Sequence, residues 1–180
     1  MATEFIFKPN PTREEIILND FFANTNWDKP IHPDPAHLQF FDIPDKFALL
    51  LNNNLPVSTL VIYSRFLVYQ GKKYSFSGIG GVATHKQFRH QGFATELLNR
   101  TLMAMKKNYD FSLLCTDIPH LSPLYTPVGY IPLGRPYYFI DKTGKKDVEL
   151  GGMIASLSSP EAVTQILSSQ DEIFVGTSNF

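Results

Sequence analysis

Apolar positions recur in two rhythms along this chain, and the switches between them mark its elements. Glu4 to Lys8 reads as a short first strand, ended by Pro9 and Pro11. Thr12 followed by Glu15 is a capping box, and Ile16, Ile17, Phe21 and Phe22 give the helix behind it an apolar stripe. Asn24 to Lys46 is irregular and proline-rich, with a short helix expected at Pro35 to Phe41. Three strands follow, Phe47 to Leu51, Pro56 to Val68 and Tyr74 to Thr84. They are joined by Asn52-Asn53-Asn54 and Gln70-Gly71-Lys72, so an antiparallel meander is expected. In the third strand the alternation slips: Tyr74 and Phe76 share one parity and Ile79 has the other. A bulge near Gly80-Gly81 accounts for the slip.

Gly92 to Lys107 carries the clearest helical spacing, with Ala94, Leu97, Leu98, Leu102 and Met105 on one face. Phe111 to Thr116 reads as a buried strand, and Pro119 to Tyr125 as a short helix or turn. Tyr130 to Asp141 and Asp147 to Leu157 read as a hairpin around Lys142-Thr143-Gly144. Ser159 and Pro160 open a last helix, and Glu172 to Val175 reads as a final short strand. This order predicts a single domain over residues 1–180 of α/β (α+β) class. Its mixed, mostly antiparallel sheet is flanked by helices, with a core at 47–140 and a C-terminal extension at 141–180.

Composition narrows the function. The 180 residues carry 16 Lys and Arg against 17 Asp and Glu, a formal net charge of −1, which gives no bulk attraction to nucleic acid. No apolar run approaches the ~18 residues of a membrane span, so no membrane partner is expected. The start, Met1-Ala2-Thr3-Glu4, has no basic n-region or apolar h-region, and the one cysteine, Cys115, excludes an intrachain disulfide. A cytoplasmic protein is the expectation. His32, His85 and His90 have no partners at ligand spacing, so no metal site is expected.

The chemistry concentrates at Val82 to Ala94. This stretch reads as a strand end, a polar loop and a helix that begins at glycine without a Ser, Thr, Asp or Asn cap. Such a start leaves unused N–H donors at the positive end of a helix dipole. It is either a phosphate site or an ordinary helix start wetted by water. A Walker-type loop is excluded by the missing Gly-Lys-Ser/Thr, and of a dinucleotide fingerprint only Gly92 is in place.

Arg89-x-x-Gly92-x-Ala94 before the amphipathic helix, and Tyr125-x-x-x-Gly129-Tyr130 after the buried strand, resemble two motifs of the GNAT superfamily of acyl-CoA-dependent N-acyltransferases. The resemblance implies a parallel pair, Tyr74–Thr84 and Phe111–Thr116, splayed into a cleft for acetyl-CoA. It places Val82, Ala83 and Thr84 beside the pantetheine arm, and Gln87, Arg89, His90, Gln91, Gly92, Phe93, Ala94 and Thr95 around the pyrophosphate. A bulge N–H near Val82 would polarise the thioester carbonyl, and an amine would attack directly. Tyr125 sits where the family places its general acid. The strand leading to the bulge lacks the glutamate base of many relatives, which leaves Asp117 and His120 as candidates. Some aminoglycoside acetyltransferases of the superfamily use a C-terminal carboxylate; here Phe180 is last, and docking of that residue on the core is the other reading.

The extension loosely resembles aminoglycoside 2′-N-acetyltransferases, which implies a small cationic amine as acceptor. It would be held between Trp27, Asp34, Phe40 and Phe41 on one side and the Tyr130–Leu157 hairpin on the other. Three alternatives remain open: a protein or peptide amine as acceptor, a catalytically silent acyl-CoA sensor or scaffold, and a nucleotide-binding module. A homodimer is an open assembly.

Overall fold

The capping box at Thr12 forms as its spacing requires. The Thr12 N–H donates to Glu15 Oε2 at 2.8 Å, and the Glu15 N–H donates to Thr12 Oγ1 at 3.4 Å. It opens helix α1 (Arg13–Asn24), which follows strand β1 (Thr3–Pro9). The structure, a computed structural model, describes residues 3–24, 43–141, 143–177 and 179–180. The helix expected at Pro35–Phe41 lies outside the described residues.

The meander is present as β2 (Lys46–Asn52), β3 (Leu55–Tyr69) and β4 (Lys72–Thr84). Next come α2 (Phe93–Met105), β5 (Phe111–Cys115), α3 (Ile118–Tyr125) and β6 (Ile131–Pro132). The chain ends in β7 (Tyr137–Ile140), β8 (Lys146–Glu149), β9 (Gly152–Ser156), α4 (Pro160–Ser168) and β10 (Phe174–Thr177). The main sheet has strand order β1-β2-β3-β4-β5-β9-β6. Its pairs are antiparallel except β4 with β5, which are parallel. The class is therefore mixed α/β, with a mostly antiparallel main sheet that contains one parallel pair.

Two expected strands each divide in two. Tyr130–Asp141 becomes β6, paired with β9, and β7, which joins β8 and β10 in a separate three-stranded sheet. Pro132, Gly134 (φ +69°) and Pro136 prevent one continuous strand. Asp147–Leu157 breaks at Leu150-Gly151, where the Gly151 carbonyl accepts the Thr116 N–H at 2.9 Å. A Cβ on Gly151 would stand 2.2 Å from the Thr116 carbonyl oxygen, so the backbones meet too closely for any other residue. The expected single mixed sheet is thus two sheets.

The core divides across the main sheet by strand parity. Leu60 and Ile62 of β3 pack with Leu97, Leu98 and Met105 of α2 and with Tyr125 of α3. Val61 and Tyr63 face the other way, against Leu18 of α1 and Phe180. Full burial of each large α2 side chain contributes about 1.5–3 kcal/mol, enough to anchor the helix head beside the end of β4.

Candidate active site

The parallel pair opens as β4 leaves β5. Pairing runs from Phe76 with Phe111 to Ile79 with Leu114, and β4 then continues to Thr84 with no further β5 partner. The bulge expected from the parity slip lies at this opening. On β3, Val61 faces Gly80 and Thr59 faces Ala83, so Leu60 stands opposite both Gly81 and Val82. Gly81 holds φ +58°, a left-handed conformation that glycine adopts at least cost. Backbone groups of Val82, Ala83 and Thr84 thus line an edge that another extended chain could pair with.

The loop after β4 makes a short 3-10 turn, Lys86–Phe88, whose amides are partly used internally. The Gln87 N–H donates to His85 Nδ1 at 3.4 Å and the Phe88 N–H to the His85 carbonyl at 2.8 Å. The chain then passes through two left-handed residues, His90 (φ +60°) and Gly92 (φ +83°). Gly92 is the N-cap of α2 and makes no side-chain cap; the Glu96 N–H closes the first turn onto the Gly92 carbonyl at 2.9 Å. The amides of Phe93, Ala94 and Thr95 lie ahead of that bond and are the unpaired donors of a helix start. Among the described residues nothing stands within 4 Å of where a Gly92 Cβ would sit, which leaves the approach open to them.

Charge around this start favours an anion. Glu96 lies in the first turn, but Arg100 pairs with it at 2.8 Å and offsets its charge. Arg89 folds back so that Nε donates to the Thr84 carbonyl at 3.4 Å. Its Nη2 is buried and has no hydrogen-bond partner among the described residues. An unpartnered guanidinium nitrogen, uncapped amides and open space fit the diphosphate of a coenzyme A molecule. His90 and Gln91 are exposed on the same loop, and the Gln91 Nε2 donates to the Gln87 carbonyl at 3.2 Å.

Tyr125 ends α3 at 6% exposure, its ring edge-on to Tyr130 with centroids 6.0 Å apart. Burial pushes the Tyr125 phenol above its ordinary value, and a hydrogen bond with Thr116 partly opposes the shift. Thr116 directly follows β5, so this bond ties the hydroxyl to the open end of the parallel pair. A phenol so placed keeps its proton near neutral pH and is a donor. Tyr130 is fully buried, with its hydroxyl 2.8 Å from Ser112 Oγ, a packing role.

Asp117 and His120 pair with each other, His120 Nδ1 lying 2.7 Å from Asp117 Oδ2, and their side chains are 57% and 80% exposed. They occupy the first turn of α3, whereas Tyr125 occupies its last, so the helix does not bring the three together. Trp27, Asp34, Phe40 and Phe41, the expected acceptor contacts, lie outside the described residues. Among the described residues no group of His, Cys, Asp or Glu could hold a metal, and no helix is long and apolar enough to cross a membrane.

The face of the opening opposite α2 holds two residues: Phe180, whose docking on the core is one reading of the sequence, and Asn19, which sequence reasoning missed. Phe180 stacks on Tyr137 with centroids 5.8 Å apart and meets Phe76 edge-on at 6.2 Å. Its ring covers Gly78, where a Cβ would come within 2.6 Å of it, and its carbonyl carbon would lie 3.1 Å from a Cβ on Gly80. Asn19 of α1 is the other, fully buried against the bulge. Nothing near Asn19 in sequence signals its contacts, and nothing near Phe180 points to Gly78 or Tyr137 as its partners.

A domain with a parallel pair opening between a bulge and an uncapped helix start is of the acyltransferase type. The chain belongs to the GNAT acetyltransferase domain family, whose model matches residues 39–132. Among solved structures it resembles a conserved Enterococcus faecalis V583 protein named a probable N-acyltransferase, at 16% identity and TM-score 0.59, covering 74% of this chain and 33% of that one. It resembles the ribosomal-protein-S18-alanine N-acetyltransferase of Escherichia coli at 12% identity and TM-score 0.57, covering 86% and 95%. It also resembles a chain of the NatC complex bound to Gag peptide and CoA, at 16% identity and TM-score 0.57, covering 86% and 99%. The chain thus spans about a third of the first of these proteins. No curated protein matches it in sequence.

Proposed function

We propose that this protein transfers an acetyl group from acetyl-CoA to the primary amine of a small cationic molecule by direct attack. The observation that carries the reading is the uncapped start of α2 beside the opening of β4 and β5. Phe93, Ala94, Thr95 and Arg89 bind the diphosphate, while Val82 and Thr84 pair with the extended arm. Acetyl-CoA supplies an activated thioester. The N–H at the bulge stabilises charge on its carbonyl oxygen as the amine adds. Tyr125 donates a proton to the departing thiolate, a role its raised phenol supports. The exposed Asp117–His120 pair, at the other end of α3 from Tyr125, accepts the proton of the amine through intervening water, the carboxylate orienting the imidazole.

The test is acetyl-CoA consumption against aminoglycosides, polyamines, amino acids and peptides. Turnover with a small polyamine or aminoglycoside supports the reading, and turnover confined to peptides moves the acceptor to protein amines. One observation favours a silent acyl-CoA sensor: β4 carries no carboxylate between Lys72 and Thr84. Tight acetyl-CoA binding with no turnover on any amine would select that reading.

A further inference from the structure

The β4 bulge is clamped from the far side of the sheet by one side chain. Asn19 is fully buried in α1, among Leu18 and the face of β3 that carries Val61. Its Nδ2 donates to the Gly81 carbonyl at 2.7 Å and to Thr59 Oγ1 at 2.9 Å, which uses both amide hydrogens. Its Oδ1 is buried without a hydrogen-bond partner among the described residues and lies 2.3 Å from where a Gly81 Cβ would stand. It therefore rests against a Gly81 Cα hydrogen, where only a weak C–H···O contact is available. A buried amide left half satisfied costs stability. Leucine would fill the same volume with no polar atom to bury, so packing alone does not account for Asn19.

The geometry points to Asn19 as a positioning residue for the reaction, an inference that rests on the acetyl-transfer reading above. No peptide bond among the described residues is cis, so the carbonyl of Gly81 and the N–H of Val82 point in opposite directions within one plane. Asn19 holds that carbonyl toward α1. The Val82 N–H is thereby turned to the other face, where Val82 packs with the core that contains α2 and Tyr125. A bulge with glycine at its turn has a soft peptide plane, and a donor free to rotate would lose much of its effect on developing charge. The Asn19 clamp fixes the plane before the thioester arrives. It touches neither the acyl group nor the amine.

The test replaces Asn19 with leucine and measures three quantities. CoA affinity by calorimetry is expected to stay within twofold, because the α2 start is untouched. The kcat is expected to fall about 10- to 100-fold, less than the ~10²–10³ lost when such a donor is removed outright. The infrared band of ¹³C-labelled thioester carbonyl, lowered on the wild-type protein, is expected to return toward its solution position. A variant with kcat within twofold and an unmoved band overturns the inference. A second measurement needs no variant: the Val82 amide resonance should shift further with acetyl-CoA than with CoA, which lacks the carbonyl. Equal shifts overturn the inference even if Asn19→Leu fails to fold. Wild-type protein that binds no acetyl-CoA refutes the acetyl-transfer reading itself, and the role of Asn19 with it; wild-type turnover with an indifferent Val82 refutes the role alone.

Discussion

Replacing Gly92 with aspartate puts a carboxylate where a diphosphate is proposed to sit. Gly92 is exposed, and no atom of the described residues lies within 4 Å of its missing Cβ, so the new side chain clashes with none of them. The folding cost is that of φ +83° for a residue with a Cβ, about 1–2 kcal/mol and at the low end for aspartate, which tolerates this region. In a chain of this length each kcal/mol lowers Tm by about 2–4 °C. The cost to binding is larger. Two unit charges ~4 Å apart repel by about 1 kcal/mol in water and about 4 kcal/mol at the effective dielectric of a protein surface. With 1.4 kcal/mol per tenfold, the Kd for CoA should rise by a factor between about 5 and about 700. Calorimetry with CoA measures it. S-acetylpantetheine, which lacks the diphosphate, is the control and should bind the variant as it binds the parent. An unchanged Kd for CoA in a folded Gly92→Asp protein would refute the assignment of this helix start.

Tyr125→Phe should lower kcat by about 10²-fold or more at unchanged CoA affinity, read as thiol release. Because burial raises the Tyr125 phenol, the alkaline fall in wild-type kcat should begin above the ordinary tyrosine value of ~10 and vanish in the variant; a wild-type rate in Tyr125→Phe contradicts the acid role. Asp110 accepts bonds from the Ser75 N–H, Ser75 Oγ and Ser159 Oγ at 2.7, 3.0 and 2.6 Å. Burial works against its charge, but these bonds outweigh it and hold the carboxyl below its ordinary range. Its contribution to stability is therefore present above about pH 4 and lost as pH falls through the depressed value; Asp110→Asn should flatten that dependence in urea melts, and an unchanged acid profile contradicts it. The Cys115 thiol is pushed up to about 12, first by burial and then by Glu149, so iodoacetamide at pH 8 should leave it unmodified in the folded protein; rapid labelling contradicts the placement.

What the sequence revealed was local. The Thr12–Glu15 cap, the stripe of α2 and the slip at Gly80-Gly81 each depend on residues within a turn or a strand of one another, and each is in the structure. The uncapped start at Gly92 was legible for the same reason, since a missing cap is a property of adjacent residues. What escaped depends on distance along the chain. The break at Gly151 arises from the approach of Thr116, and the Phe180 ring meets Gly78 from the far end of the sequence. Asn19 looks like one polar residue in an amphipathic helix until Thr59 and Gly81 arrive beside it. Asp117 and His120 follow the buried strand in sequence, but their pairing at the start of α3, away from Tyr125, appears only once that helix is formed.

The most direct measurement is a crystal structure of the protein grown with acetyl-CoA. The account predicts diphosphate oxygens about 2.7–3.2 Å from the amides of Phe93, Ala94 and Thr95, with the acyl arm lying along Val82 to Thr84. Coenzyme bound elsewhere, or no coenzyme at saturating concentration with the head of α2 left bare, would contradict it.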